Sequence, residues 1–405
     1  MPQQPTGTAP GTTSGTAPAQ QFPATPRVIA LLVATGLVVL MQLYAAIPLA
    51  TPVSDDLGAT SGAATLALST CFSLSYAAAF LVWGPVADHV GRRPVILTGL
   101  AVLILATLGC ALAPNITVLG ILRAVQGIGA ASYAPIALAY LTEATALKHR
   151  AASVGAMATA FLVAGITGQV FASAMADSAG WRWAFTVSAV VFAVCGAGVL
   201  VMLREAPRTS ETTLAGQFRN LGLLLTRPRV LLLAGALTTL LLSFVAMYSA
   251  LGPYLQDAGL SSGAVLTFRL VGLPGMFVAL LAGPLATRIG VPATARAGYL
   301  LAAVGLLGEA TLSGTVVGTA LASLVFVTGV ALAVPSMITL FGITAAPQRG
   351  AGMALNGFFL FLGASLGPLT TQLHLGFVPL VLCLAGLLVV AAVLLTWFLR
   401  LSREA

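Results

Sequence analysis

The sharpest chemistry in this chain sits in an apolar stretch, Ile121-Leu-Arg123-Ala-Val-Gln126-Gly127-Ile-Gly129-Ala-Ala-Ser132-Tyr133. By the 3.6-residue period, positions 123, 126, 130 and 133 share one helix face, which presents a guanidinium, an amide and a phenol. A charge held in hydrocarbon costs at least ~2.5–3.5 kcal/mol, so Arg123 is expected to face a protein interior or a wet cavity. The alternative is an arginine that snorkels to the nearby interface. A second cluster reads Gly84-Pro-Val-Ala-Asp88-His-Val-Gly91-Arg92-Arg93-Pro94. Gly84-Pro85 is expected to end one helix, Gly91 to make a tight turn, and Pro94 to enter the first turn of the next. Asp88 is the one acid of a basic loop; it could accept from a helix N-terminus or pair with a distant arginine.

Other chemistry is missing. The three histidines are widely separated and no H-E-x-x-H occurs, so neither a metal site nor an enzyme is predicted. Cys71, Cys110, Cys195 and Cys383 each lie inside an apolar run, without C-x-x-C spacing, and read as small packing residues.

The elements that must position these residues follow from composition. Of 405 residues, 59% are hydrophobic and 7% charged, against roughly 25% charged in soluble domains. So few charges cannot cover a surface in water, and the apolar excess is expected to face lipid. The net charge of +8 does not indicate nucleic acid, because the basic residues are scattered through short loops without interleaved aromatics. Residues 1–26, rich in Pro, Gly, Thr and Gln, read as a disordered tail. The first apolar run is too long for the roughly 7–15-residue core of a secretory signal and reads as a first span.

A hydrocarbon core of ~30 Å needs about 20 apolar residues in a helix. Such runs fall near 28–49, 62–83, 94–113, 116–140, 151–176, 184–203, 230–254, 264–286, 293–312, 315–341, 351–373 and 376–399. Backbone groups in lipid must be satisfied within the segment, so twelve helices are predicted. With the N-terminus inside, fifteen of the eighteen basic residues fall in inner loops or tails, including Arg92, Arg93, Lys148, Arg150 and Arg349. Asp55, Asp56, Asp177 and Asp257 fall outside. That asymmetry predicts both termini in the cytoplasm.

The chain also divides evenly. Spans 27–203 and 230–400 are expected to form two six-helix bundles, joined by a charged linker at 204–229 and followed by a short tail at 401–405. An offset of 199 residues places Gly84-Pro85 on Gly283-Pro284, Gly91 on Gly290, Arg150 on Arg349 and Gly168 on Gly367. Such parallel repeats place a ligand site near the midplane between the halves.

On these residues the chain resembles the major facilitator superfamily. Its loop between the second and third spans reads G-x-x-A-D-x-x-G-R-R, and its fourth-helix motif, R-x-x-Q-G-x-G, is matched by Arg123, Gln126, Gly127 and Gly129. The resemblance implies an all-α fold of two pseudo-symmetric bundles that alternate access. Gly84, Asp88, Gly91, Arg92 and Arg93 would then latch the halves on the cytoplasmic side, and Arg123 would take part in proton coupling. The second copy of the loop carries Thr287 where Asp88 stands in the first, so its latch is weaker or absent. Drug/proton antiporters of this family carry a fifth-helix motif close to G-x-x-x-G-P-x-x-G-G. Here Gly165, Gly168 and Gln169 stand in that region as candidates for helix packing and gating, with Gln169 replacing the proline. Where many proton-coupled relatives have a first-span acid, this chain has Gln42.

Candidate cavity residues are Gln42, Tyr44, Tyr76, Tyr133, Ser243, Tyr248 and Asn356, together with Gln126. Such a wall suits a neutral or lipophilic solute, or an anion drawn by Arg123. The expected function is export of drug-like or metabolite molecules across the cytoplasmic membrane in exchange for protons, by a monomer that needs no cofactor. A facilitator or importer of a sugar or other small polar solute is the alternative.

Overall fold

A computed structural model describes residues 24–205, 213–346 and 348–403. The expected tail as far as residue 23, the start of the linker at 206–212 and residues 404–405 lie outside the described residues. So do the side chains of Lys148, Arg150, Arg349 and Arg400.

Among the described residues every regular element is helical. Twelve helices are long and apolar enough to cross a membrane. They are span 1 (Pro26–Asp56), span 2 (Ser61–Val90), span 3 (Arg92–Ala111), span 4 (Ile116–Ala144), span 5 (Ala152–Ser178) and span 6 (Trp181–Met202). The second set is span 7 (Pro228–Asp257), span 8 (Gly263–Ile289), span 9 (Val291–Thr311), span 10 (Val316–Thr344), span 11 (Gly350–Leu373) and span 12 (Phe377–Leu399). Side chains such as Leu112 and Val201 are more than three-quarters exposed, as helices bathed in hydrocarbon require.

The ends follow side-chain rules. Thr60, Asn115, Ser261 and Thr315 accept from backbone N–H groups three residues on, capping spans 2, 4, 8 and 10. Gly91 and Gly290, related by the 199-residue offset, have φ of 105° and 89° and make the turns after spans 2 and 8. Only glycine enters that region without strain.

Two readings need correcting. Gly84-Pro85 does not end span 2, because the helix runs through Pro85 to Val90 and stops at Gly91. A proline removes one hydrogen bond to the carbonyl four residues back, but the residues after it keep theirs, so a helix can continue. The linker is not all loop either: Leu214–Leu225 forms a helix, capped by Thr213, with Leu221 and Leu224 buried. Its leucines recur at helical spacing, a signal present in the sequence.

The packing repeats between halves. Span 1 lies on span 5 as span 7 lies on span 11, span 3 on span 4 as span 9 on span 10, and span 3 on span 6 as span 9 on span 12. Spans 3 and 4 touch through glycine: a Cβ on Gly129 would sit 2.9 Å from Gly99 O. Gly298 and Gly329 do the same for spans 9 and 10, with a Cβ on Gly298 2.8 Å from Gly329 O. Small residues at such crossings bring backbones together where no hydrophobic effect drives association. Two bundles result, meeting along spans 2 and 11 and spans 5 and 8.

Candidate functional site

Between the bundles lies a cavity of about 740 Å³. Its deep wall is apolar and aromatic, with Leu40, Phe80, Phe161, Leu241 and Phe361, and the polar groups there are Tyr44 and Asn356. Its mouth, on the face that carries the loop between spans 2 and 3, is charged and polar, with Asp88, Arg92, Glu143, Gln217, Asn220 and Gln348. On the opposite face the halves are closed. Arg269 Nη1 of span 8 donates to Ser173 Oγ of span 5 at 2.8 Å, and Thr70 Oγ1 of span 2 donates to Ser365 O of span 11 at 3.3 Å.

The loop at the mouth is bound from several sides. Asp88 is exposed, and a Cβ on Gly350 would lie 4.0 Å from its Oδ2, so the carboxylate faces the start of span 11 across the halves. Arg92 is buried and donates to Glu143 Oε1 of span 4. Arg93 donates its backbone N–H to Glu205 Oε2 at 2.7 Å and its Nη2 to Leu200 O at 2.9 Å. Glu143, which follows span 4 on the same face and so was placed by its position to pair with Arg150 or with these arginines, meets Arg92, whereas nothing in the sequence spacing indicated Glu205. Gly84 has open space about it, and Gly91 makes the turn.

Arg123 is 1% exposed and turned into the first bundle, not snorkelled to the interface. Its Nε donates to Leu68 O at 2.8 Å, Nη2 to Gln42 O at 3.0 Å, and Nη1 to Gln126 Oε1. Phe72 stacks under the guanidinium at 4.3 Å. Gln126 Nε2 reaches Thr107 Oγ1 at 2.8 Å and Gln42 Oε1 at 3.2 Å, and Gln42 Nε2 donates to Ser188 Oγ at 2.8 Å. One network thus ties spans 1, 2, 3, 4 and 6. Gly127 makes room for it: a Cβ there would lie 2.3 Å from Phe72 O.

Of the expected cavity residues, Tyr44 and Asn356 line the cavity. Gln42, Gln126 and Tyr133 do not; they are inside the first bundle, where Tyr133 donates to Leu32 O at 2.8 Å. An amide or phenol able to find partners among neighbouring helices turns there rather than toward a cavity. Tyr76 packs edge-on to Phe361 across the halves, ring centroids 4.5 Å apart. Ser243 and Tyr248 are buried in the second bundle. Span 5 touches span 1 at Gly168, where a Cβ would be 2.6 Å from Met41 O, and span 7 at Gly165, 3.3 Å from Phe244 Cζ. Gln169 folds back on its own helix, Nε2 to Gly165 O at 2.7 Å. No group of three or more candidate metal ligands occurs among the described residues.

Similarity to known proteins accords with this architecture. The chain is 35% identical over 124 residues to the uncharacterized MFS-type transporter Rv1250 of Mycobacterium tuberculosis, covering 31% of this chain and 21% of that protein. It is 28% identical over 214 residues to the uncharacterized MFS-type transporter YwfA of Bacillus subtilis, about half of each chain (51%). A multidrug resistance protein B homolog of Mycobacterium tuberculosis is 29% identical over 174 residues, 43% of this chain and 31% of that protein. The chain thus spans from 21% to 51% of the length of these relatives. The family model described as Major Facilitator Superfamily matches residues 32–368. With twelve spans among the described residues, in two repeated bundles around a central cavity, this chain belongs to the major facilitator superfamily and has the make-up of a multi-pass membrane protein.

Proposed function

We propose that this protein exports small, lipophilic drug-like or metabolite molecules across the cytoplasmic membrane by alternating access, in exchange for protons. The observation that carries this reading is the cavity. Its depth is aromatic and apolar with two polar groups, Tyr44 and Asn356, while its charged side chains gather at the mouth. Desolvating an apolar solute there is favourable, whereas a multiply charged one would lose its hydration without a counter-charge. Relatives named for multidrug resistance and, in Claviceps purpurea, for thioclapurine efflux support export.

In this reading the mouth faces the cytoplasm with both termini, following the arginine distribution, and one chain supplies the complete site. Gly84, Asp88, Gly91, Arg92 and Arg93 act as the latch: Asp88 approaches span 11 of the other half, while Glu143 and Glu205 hold the two arginines. Arg123, Gln126, Gly127 and Gly129 serve coupling by fixing spans 1, 2, 3, 4 and 6 as a unit. Gly165, Gly168 and Gln169 let span 5 pivot against spans 1 and 7. One pH unit is worth about 1.4 kcal/mol per proton, enough to drive uphill export.

Gln42, an amide that cannot titrate, favours a second reading, a facilitator of a sugar or small polar solute. The apolar depth of the cavity weighs against it. Inverted membrane vesicles energised by a pH gradient and given a lipophilic dye separate the two. Export by exchange requires accumulation that collapses with the gradient; accumulation indifferent to it refutes proton exchange.

A further inference from the structure

Within the second bundle stands a carboxyl that neither the cavity nor the latch uses. Glu309, at the end of span 9 away from the mouth, is 0% exposed and is the one fully buried acid among the described residues. Neither of its oxygens makes a hydrogen bond of good geometry. The groups that face it are few. Span 10 contributes Ser323, which stands beside both Glu309 and the Tyr248 hydroxyl, and span 7 contributes Tyr248. Arg269 of span 8 is within electrostatic reach of Tyr248 and of Asp177 of span 5. The buried side chains of span 12 are all apolar. As an ion, Glu309 would be an uncompensated charge costing several kcal/mol. With a proton it carries none.

Its place in the repeat is informative. At the 199-residue offset Glu309 corresponds to Cys110 and Ala322 to Arg123. The first bundle therefore buries a cation in a satisfied network, and the second buries an acid one helix away with no cation in the matching position.

Tyr248 connects this acid to the seam between the halves. A Cβ on Gly272 would lie 2.8 Å from the Tyr248 hydroxyl and 3.1 Å from Ile166 Cδ1 of span 5. The Arg269–Ser173 hydrogen bond closes the same seam. On the other side Tyr248 packs on Phe244, and Phe244 on Tyr44 of the cavity wall, with centroids 4.9 and 5.7 Å apart. In the alternating-access reading, rocking the halves apart on the face away from the mouth would break Arg269–Ser173, separate Ile166 from Gly272 and open the Tyr248–Glu309 path to water.

We infer that Glu309 is the group that carries the exchanged proton, loaded through the Tyr248 seam and unloaded past Phe244 and Tyr44; this rests on the proton-exchange reading above. The step balances simply. A carboxylate oxygen takes a proton from water on one face and returns it to water on the other, with no other bond changed.

The test uses the full chain in proteoliposomes, with the dye rhodamine 6G as probe and infrared difference spectra taken between two pH values. Wild type should show a carboxylic-acid carbonyl band that Glu309→Gln lacks. One pH unit sustains about tenfold accumulation per proton; Glu309→Gln should lose that driven accumulation yet keep dye counterflow without a gradient, and Glu309→Asp should recover part of the driven movement. Driven accumulation that survives in Glu309→Gln, or a band that remains in it, overturns the assignment of Glu309. Loss of counterflow in both variants also overturns it, marking the residue as structural. A wild type whose dye movement ignores the gradient instead overturns the proton-exchange reading itself.

Discussion

Replacing Arg123 by lysine separates the shape of this residue from its charge. The guanidinium serves three acceptors that lie in different directions, Leu68 O, Gln42 O and Gln126 Oε1, and covers the Phe72 ring at 4.3 Å. An ammonium is a point donor on a flexible stem and cannot bridge that fork. If lysine keeps one of the three bonds, two buried acceptors lose a charged donor, at about 1–3 kcal/mol each. The weakened stacking adds about 0.5–2 kcal/mol. Arg123→Lys should therefore destabilise the first bundle by about 2.5–8 kcal/mol, and Arg123→Ala by more. For a unit of 150–250 residues this is about 2–4 °C of melting temperature per kcal/mol. The assay is the loss of monodisperse protein on heating in detergent, beside dye transport at a temperature where each variant is intact. Arg123→Lys melting within about 1 °C of wild type would refute the account of a fork-shaped network. Full stability with lost gradient dependence would place the residue's role in coupling alone.

Three further outcomes follow from the geometry. Gly127→Ala should cost at least about 1–3 kcal/mol and sharply lower folded yield, since its Cβ would lie 2.3 Å from Phe72 O, whereas Gly84→Ala, with nothing within 4 Å, should melt as wild type does. Asn356→Leu should leave the melting temperature unchanged or raised, because it removes a buried Nδ2 without a partner, while weakening export of solutes that offer a hydrogen-bond acceptor relative to those that do not. Glu143→Gln should change stability by less than about 1 kcal/mol, because its side chain is 53% exposed and the pair with Arg92 is screened; a larger loss on heating would mean the loop is held more tightly than a half-solvated ion pair allows.

Much of the architecture was decided by composition and spacing alone. Twelve apolar runs of bilayer length must be helices in lipid, because no other open-ended structure satisfies its own backbone, and the described residues contain twelve such helices. The repeat was equally legible, since a turn that needs positive φ needs glycine, and Gly91 and Gly290 keep that constraint in both halves. Helical periodicity also put Arg123 and Gln126 on one face. What periodicity cannot say is which neighbour that face meets. Gln42 and Tyr133 turned inward because hydrogen-bond partners on adjacent helices were within reach, while Asn356 was left facing the cavity. Glu309 and Arg269 are each a charged residue near one end of an apolar run. Only packing made one a donor across the seam and left the other sealed without a partner, because burial is set by helices distant in the chain.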